Sequence, residues 1–375
     1  MLNRRHPSLA ALAALLIVAA VLSAGCGKQE HHPGEPAETT DARESLPRSY
    51  DPEPQEKHFS ELSMLTDGGD NAEAYFSFDS SRLVFQTTRP PYECDQIMIL
   101  DPPTAELRLV STGLGRTTCG YFLPGDREIV YSSTHLGDTA CPPPADRSRG
   151  YAWAVYDSYE VFRASVDDPT QPVQLTDSHG YDAEATVSPL GDRIVFTSTR
   201  DGDLDIYSMN LDGSDVTRLT DELGYDGGPF FSPDGKKIVY RARHPSDPEE
   251  VKEYESLLAE GLVRPNMLDV WVMNADGSGK RQVTDLPGAS FAPFFHPSGE
   301  KIIFSSNHHD PNRREFDLFM VGLDGEGLEQ ITYSEGFDGF PMFSPNGEWF
   351  VFCSNRHNSK PRETNVFLTR WRDSD

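Results

Sequence analysis

The sequence predicts an all-β protein, a six-bladed β-propeller, and three observations carry that prediction. A ten-residue tile, a turn signal followed by an apolar run, occurs six times. Each repeat supplies four short strands, which is typical of a propeller blade. The last repeat lacks its outer strand, and a matching segment stands before the first tile. The tiles are FSFDSSRLVF at 76–85, FLPGDREIVY at 122–131, VSPLGDRIVF at 187–196, FSPDGKKIVY at 231–240, FHPSGEKIIF at 295–304 and FSPNGEWFVF at 343–352.

The tile is a turn between two strands rather than a catalytic motif. In the copy at 231–240, Pro233 and the Asp234-Gly235 pair suit a tight turn, and the residues that follow are β-branched and aromatic. A second hairpin comes next, as in DVWVMNADGSGKRQVT at 269–284, and ends in an outer strand. The repeat therefore reads as four antiparallel strands.

The outer strands predict how the ring closes. They end in short related sequences, and the sixth repeat runs through NVFLTRW at 365–371 without one. The segment HFSELSMLT at 58–66 carries the missing sequence, so it should complete the last blade and leave only short, protected edges. The outer-strand endings are LVST at 109, QLTD at 174, RLTD at 218, QVTD at 282, QITY at 330 and MLTD at 64.

These motifs together resemble the TolB-type β-propeller repeat, over about residues 58–375. The resemblance implies the fold. It leaves the function open, because that family includes binding modules, propellers attached to peptidases and many uncharacterised lipoproteins.

The N-terminus predicts export. Residues 1–25 have a positive start, an apolar run and small residues at the end, as in a signal peptide, and Cys26 follows as in a bacterial lipoprotein signal. An ordinary signal peptide with a chance cysteine is the alternative. Residues 26–57 are rich in Pro, Glu and Ser and are expected to be a disordered tether, which leaves 58–375 for the propeller.

The negative charge of the chain limits the classes of partner that it can bind. The 375 residues carry a formal net charge of −27. Nucleic acid and anionic lipid would be repelled, so contact with the membrane is expected through the lipid anchor only. Envelope proteins or a small ligand remain as partners, and we expect a monomer.

A group of carboxylates is expected near the mouth of the central channel. Aligned on the tile, they fall in the loops that lead into the inner strands or two residues further on. They could cap loops and accept backbone hydrogen bonds, or they could form a site for a divalent cation or a cationic ligand. No cofactor is certain. The five acids are Glu73, Asp182, Glu184, Asp226 and Asp338.

A basic residue or histidine ends the second strand of every repeat. Neighbouring blades lie too far apart for equivalent histidines to share a zinc ion, so pairing with the acids is favoured. His308-His309-Asp310 is the one local cluster, and a manganese-dependent lyase of similar propeller type uses histidines. The six positions are Arg89, His135, Arg200, His244, His308 and Arg356.

Two insertions, at about 136–158 and 245–267, fall between second and third strands, on the expected ligand face. In the first, Tyr151, Trp153 and Tyr156 could stack on a sugar or a peptide, or could bury the loop.

The second insertion predicts a short helix. Ser246 is the expected cap, Pro248 lies near the first turn, and Gly261 closes the segment. The face expected to pack on the propeller consists of Val251, Tyr254 and Leu258.

The remaining four cysteines predict one disulfide, because export permits oxidation. Among Cys94, Cys119 and Cys141, the pair Cys119–Cys141 is expected, and Cys353 should be a buried free thiol.

The leading hypothesis is a lipid-anchored periplasmic binding or scaffold propeller, at the outer membrane rather than the inner one. The sequence has no G-x-S-x-G or H-E-x-x-H motif. The alternative is a metal-assisted hydrolase or lyase, acting on carbohydrate or peptide at the channel mouth.

Overall fold

Six antiparallel sheets form the blades of a closed propeller. The structure is a computed structural model and describes residues 45–146, 148, 150–361 and 363–373. The predicted signal peptide, Cys26 and residues 26–44 lie outside the described residues. The innermost strands contact one another in turn, and the sixth contacts the first, so the ring is closed.

Four strands build each of the first three blades. Blade 1 contains β3 (Asp70–Phe76), β4 (Leu83–Thr88), β5 (Gln96–Asp101) and β6 (Glu106–Leu109). Blade 2 contains β7 (Thr117–Phe122), β8 (Glu128–Ser133), β10 (Glu160–Ser165) and β11 (Val173–Gln174). Blade 3 contains β12 (Asp182–Val187), β13 (Arg193–Ser198), β14 (Asp205–Asn210) and β15 (Thr217–Arg218).

The last blade carries one extra strand. Blade 4 contains β16 (Tyr225–Phe231), β17 (Lys237–Arg243), β19 (Asp269–Asn274) and β20 (Arg281–Gln282). Blade 5 contains β21 (Ser290–Phe295), β22 (Lys301–Ser306), β23 (Asp317–Gly322) and β24 (Glu329–Gln330). Blade 6 contains β25 (Asp338–Phe343), β26 (Trp349–Ser354), β27 (Asn365–Arg370), β2 (Leu62–Met64) and β1 (Arg48–Tyr50).

The insertions supply the remaining elements, which are β9 (Trp153–Ala154), α1 (Pro248–Leu258) and β18 (Leu262–Val263). We call the side on which the inner strands begin the top face, and the side of the tile turns the bottom face. Among the described residues, no helix has the length and apolar character needed to cross a bilayer.

The tiles build the core between blades. The last residue of every tile is aromatic and fully buried, and burial of such a side chain stabilises the fold by about 1.5–3 kcal/mol. The repeated tile therefore encodes the packing of the blades as well as a turn. These residues are Phe85, Tyr131, Phe196, Tyr240, Phe304 and Phe352.

A hydroxyl on the outer segment of each blade fastens it to the third strand, and we call this contact the hydroxyl clamp. In blade 3, Thr220 Oγ1 accepts the backbone N–H of Ile206 at 2.8 Å and donates to Asp205 at 3.2 Å. The same two contacts recur in all six blades. This role explains the threonine of the LTD sequence.

The predicted closure of the ring is confirmed. β2 pairs with β27, with Ser63 opposite Leu368. Thr66 supplies the clamp of blade 6, accepting from the Val366 N–H at 3.0 Å and donating to Asn365 at 3.0 Å. The N-terminal strand thus makes the contacts that a local outer strand makes elsewhere.

The prediction of a disordered tether is wrong for residues 48–57. β1 pairs with β2, and Arg48 forms an ion pair with Asp67 at 2.9 Å. Glu56, which is 2% exposed, accepts two hydrogen bonds from Arg356 at 2.9 and 3.1 Å. The polar composition of this segment suggested disorder, but its charged side chains form ion pairs with the propeller instead of being solvated by water.

The helix begins one residue later than predicted. Asp247, not Ser246, is the cap, and its carboxylate accepts the N–H of Glu249 at 2.9 Å. Tyr254 and Leu258 pack on the propeller as expected, while Leu257, which the spacing argument omitted, is the buried residue of the helix. Leu257 packs against Ala152 and Leu262 of the two insertions.

Candidate functional site

A bulge in every inner strand places one residue at the central channel. In each blade the pairing with the second strand shifts register at this point, for example between Ala183 and Thr186 in blade 3. All six bulge residues have φ between 49° and 59°, and all six line the channel. They are Glu73, Cys119, Glu184, Gly228, Ala292 and Phe340. The predicted acids Glu73 and Glu184 are therefore channel residues.

Arg241 from β17 neutralises one of the two channel acids. Its guanidinium forms an ion pair with Glu184 and donates to the Tyr225 hydroxyl at 2.9 Å. Glu184 also accepts from Thr197 at 2.7 Å. Gly228 leaves the space for this arginine, since a Cβ at that position would overlap the guanidinium. The sequence alignment on the tile did not reveal Arg241, because it lies on the second strand.

Glu73 lacks such a partner. Its Oε2 is buried without a hydrogen-bond partner among the described residues. Burial raises its pKa to about 7, and the neighbouring carboxylate of Glu184 acts in the same direction. The cavity at the level of the bulge residues has a volume of about 20 Å³, room for about one water molecule.

The other three predicted acids are paired with bases. The sequence analysis favoured such pairing for the basic residue or histidine at the end of each second strand. Asp182 accepts from Arg200 at 3.0 Å, and Asp338 accepts from Arg356 at 2.7 Å. Asp226 Oδ1 lies 3.0 Å from Nε2 of His244. Each acid lies 18 residues before its base.

These pairs bear on the predicted ligand contacts, which remain a prediction. Asp182, Asp226 and Asp338 are all 0% exposed, so a ligand on the top face cannot reach their carboxylates without displacing the bases. Burial, opposed by the paired bases, raises the pKa of both Asp226 and Asp338. We therefore assign these three acids to the architecture of the top face.

One cluster of the described residues has metal-ligating groups close together. Ligand atoms of His309, Glu315 and Asp317, on the loop before β23 and its first residue, lie within 4.8 Å of one another. Burial, followed by the charge of Asp338, raises the pKa of Asp317 to about 8. The sequence singled out His308-His309-Asp310, but Asp310 instead accepts backbone N–H groups of its own loop.

The two insertions join into one arch over the top face. β9 of the first insertion pairs with β18 of the second, so that Leu262 lies opposite Ala154 and Val263 opposite Trp153. The helix α1 packs beside them. The sequence placed both insertions on this face but gave no sign that they pair, because each strand has only two residues.

A disulfide fixes one side of the arch, but it is not the predicted one. Cys94, in the loop between β4 and β5, bonds to Cys141 in the first insertion. Cys119 is buried in the channel as a bulge residue, beside Glu73, and burial raises its pKa well above the usual range. The prediction of Cys119–Cys141 is wrong because the bulge turns Cys119 inward. Cys353 is a buried free thiol, as predicted.

The arch covers a cleft of about 970 Å³ above blade 3. Tyr156 lines it and donates its hydroxyl to the Pro143 carbonyl at 2.6 Å. Trp153 instead packs beneath the arch, its ring 5.2 Å from the Arg241 guanidinium. Tyr151 is 58% exposed on the outside. The three aromatic residues predicted to act together thus have three different environments.

The cleft is lined by both aromatic and acidic residues. Tyr181 and Tyr254 provide further walls, and the Tyr254 hydroxyl donates to Asp203 and to the Gly224 carbonyl. The basic lining residues with described side chains are His179 and Arg200, and Arg200 is held by Asp182. The acidic lining residues are Asp146, Asp157, Asp203, Glu255 and Glu260.

This arrangement defines the class of protein: a six-bladed β-propeller whose top face carries a roofed cleft. Residues 155–256 match the family model described as TolB beta propeller domain. A search of curated proteins finds no match to the sequence.

Solved structures agree with the fold. A putative TolB from Agrobacterium tumefaciens is 18% identical with a TM-score of 0.52, and the match covers 81% of this chain and 91% of that one. TolB from Acinetobacter baumannii is 16% identical with a TM-score of 0.54, covering 78% of this chain and 64% of that one. A gluconolactonase from Xanthomonas campestris is 11% identical with a TM-score of 0.53, covering 84% and 91%. At these identities the likeness concerns the fold alone, which both binding proteins and enzymes use.

Proposed function

We propose that this protein is an exported, lipid-anchored propeller of the cell envelope that binds a protein partner in the cleft beneath the arch. The observation that carries the proposal is the cleft itself. It is large enough for a segment of a partner, its two roof strands pair with each other, and a disulfide ties the roof to blade 1.

The chemistry of the lining favours a basic segment. Five carboxylates line the cleft, the lining Arg200 is already paired, and the whole chain has a net charge of −27. A lysine or arginine side chain of a partner would gain both charge attraction and contact with the tyrosine walls.

Export is supported by two independent features. The N-terminal sequence resembles a lipoprotein signal ending at Cys26, and the Cys94–Cys141 disulfide fits an oxidising compartment. Replacing Cys26 by serine should abolish the incorporation of a labelled fatty acid into the protein. Equal labelling of the parent and the Cys26→Ser variant would contradict the anchor.

The enzymatic alternative has less support. It depended on a ring of acids at the channel mouth, but three of the five are buried in pairs, and the cavity between the bulge residues has a volume of only about 20 Å³.

Site-specific photocrosslinking in intact cells tests the proposal. A photoreactive residue at Leu223, which lines the cleft and is 43% exposed, should give a crosslinked product of defined mass. Leu190 is the matched control, because it is 65% exposed on the bottom face of blade 3. The product should be absent from the Leu190 variant and should weaken at high salt. Equal products from both positions, or none from Leu223, would reject the cleft as the binding surface.

A further inference from the structure

Three blades begin their third strand with a buried aspartate, and blade 3 shows how its charge is balanced. Asp205 is fully buried and forms an ion pair with Arg218 at 2.6 Å. Arg218 also donates to the backbone carbonyl of Thr220 at 2.8 Å, which fixes its side chain along the outer edge of the blade.

Blades 4 and 5 have a neutral amide at that position. Gln282 donates to Asp269 at 3.0 Å, and Gln330 donates to Asp317 at 3.0 Å. Each glutamine also donates to the equivalent backbone carbonyl of its own blade, that of Thr284 at 2.7 Å and that of Thr332 at 3.0 Å. The glutamines satisfy the geometry, but they cannot compensate a buried negative charge.

Blade 5 differs from blade 4 in what surrounds the aspartate. Nε2 of His309 lies 2.9 Å from Oδ2 of Asp317, yet this contact does not have the geometry of a hydrogen bond. Both ring nitrogens of His309 are buried and have no hydrogen-bond partner among the described residues. Glu315 places a third ligand atom within 4.8 Å of the other two.

Neighbouring charges leave this region with an excess of buried carboxylates. Asp317 is 1% exposed, and Asp338 and Glu56 across the blade boundary are 0% and 2% exposed. Arg356 pairs with the latter two, and Oδ1 of Asp338 is left without a hydrogen-bond partner among the described residues. The guanidinium of Arg356 is therefore the one that pairs within a group of three buried acids and Glu315. Such an excess of buried negative charge lowers the stability of the fold unless a cation balances it.

We propose that His309, Glu315 and Asp317 bind a divalent transition-metal ion, which does in blade 5 what Arg218 does in blade 3. An imidazole with two carboxylates is a ligand set that suits Zn²⁺ or Mn²⁺, whereas Ca²⁺ and Mg²⁺ prefer oxygen ligands alone. The ion also supplies the missing partner of the His309 ring. The His309 side chain is 24% exposed, so an ion can reach the site from the solvent.

The loop is already shaped to hold the ligands. Asp310 accepts the N–H groups of Asn312 and Arg314 at 2.9 and 2.7 Å, and Asn307 donates to the Arg313 carbonyl at 2.9 Å. The ligand atoms already lie within 4.8 Å of one another, and binding would bring each of them to about 2.0–2.2 Å from the metal.

Metal titration of the mature chain tests the proposal. The protein is freed of metal with a chelator, and His31 and His32 are replaced by glutamine in every sample so that they do not add a second site. Zn²⁺ and Mn²⁺ should each bind with one equivalent in calorimetry and raise the thermal midpoint, and Ca²⁺ should do neither at the same concentration.

Variants within the repeat supply the controls. His309→Gln and Glu315→Gln should each weaken Zn²⁺ affinity at least tenfold, and neither replaces a fully buried group. Asp269→Asn, at the equivalent position of blade 4, should leave the affinity unchanged. Gln330→Arg should build the blade 3 pair in blade 5, fold normally and abolish metal binding.

The proposal is wrong if the metal-free protein binds neither Zn²⁺ nor Mn²⁺ stoichiometrically at neutral pH. It is equally wrong if His309→Gln and Glu315→Gln bind as tightly as the parent, since the metal would then lie elsewhere.

Discussion

Arg356 is the residue whose loss should reveal how much the buried charges of blade 6 contribute to stability. Its guanidinium pairs with Glu56 at 2.9 Å and with Asp338 at 2.7 Å, and the Arg356 side chain is itself only 4% exposed. Replacing it with methionine keeps most of the volume but leaves two carboxylates buried without a cation.

The free energy of unfolding should fall by a large amount because two buried carboxylates lose the cation that balances them. The loss of the hydrogen bonds themselves contributes less. Removing one partner of a buried pair costs about 3–5 kcal/mol, whereas losing ordinary hydrogen bonds costs about 1–2 kcal/mol. For a domain of this size Arg356→Met should lower the thermal midpoint by about 4–7 °C. The N-terminal segment around Glu56 should also become accessible to protease.

Arg89 provides the matched control. It occupies the same position in blade 1, but its partner there is the neutral Asn71, at 3.0 Å. Arg89→Met therefore strands no carboxylate and should cost about 1–2 kcal/mol. Both variants are compared by thermal unfolding at pH 7.5.

Acid conditions and a second substitution separate charge from packing. Burial raises the pKa of Asp338, and Arg356 opposes that rise. Without Arg356 the folded state therefore binds a proton more readily than the unfolded state, and the deficit in stability should shrink as the pH falls toward 5. Adding Asp338→Asn to Arg356→Met should restore part of the stability. If Arg356→Met is no worse than Arg89→Met, or if the double variant gains nothing, stranded charge is not the cause.

Three further outcomes are expected. Glu73→Gln should stabilise the protein by about 1–3 kcal/mol at pH 8. The folded pKa of Glu73, about 7, exceeds the unfolded value of about 4.3, so the stability of the wild type declines as the pH rises between these two values. Parallel pH profiles of unfolding for the wild type and the variant would contradict this. Replacing Cys94 and Cys141 by serine should cost about 2–4 kcal/mol and speed proteolysis of the first insertion, and an unchanged cleavage rate would show that the disulfide does not hold the arch. Thr66→Val should cost about 1–3 kcal/mol and increase amide exchange in β27, and unchanged exchange would deny the clamp a role in ring closure.

The fold was predictable because short local sequence motifs specify each repeat. Pro233 and Asp234-Gly235 specify a turn on their own, and copies of the tile place six such turns in register. Closure by the segment before residue 67 was also predictable, because its sequence repeats that of the other outer strands.

The site was less predictable because its contacts join residues that share no sequence motif. Arg241 reaches Glu184 from another blade, and Glu56 reaches Arg356 across 300 residues. Cys119 could not be excluded from the disulfide without knowledge of the bulge that turns it into the channel. Patterns of one chain segment report its own secondary structure and not its long-range partners.

The arch also limits how the top face can change. Blades of a repeat protein normally contact only their neighbours and can be exchanged as separate units. Here β9 and β18 connect blade 2 to blade 4 over blade 3. Deleting either insertion leaves an unpaired strand in the other, so the cleft is gained or lost as a whole. Anyone who transfers this cleft to another propeller must therefore move both insertions together, with three consecutive blades beneath them.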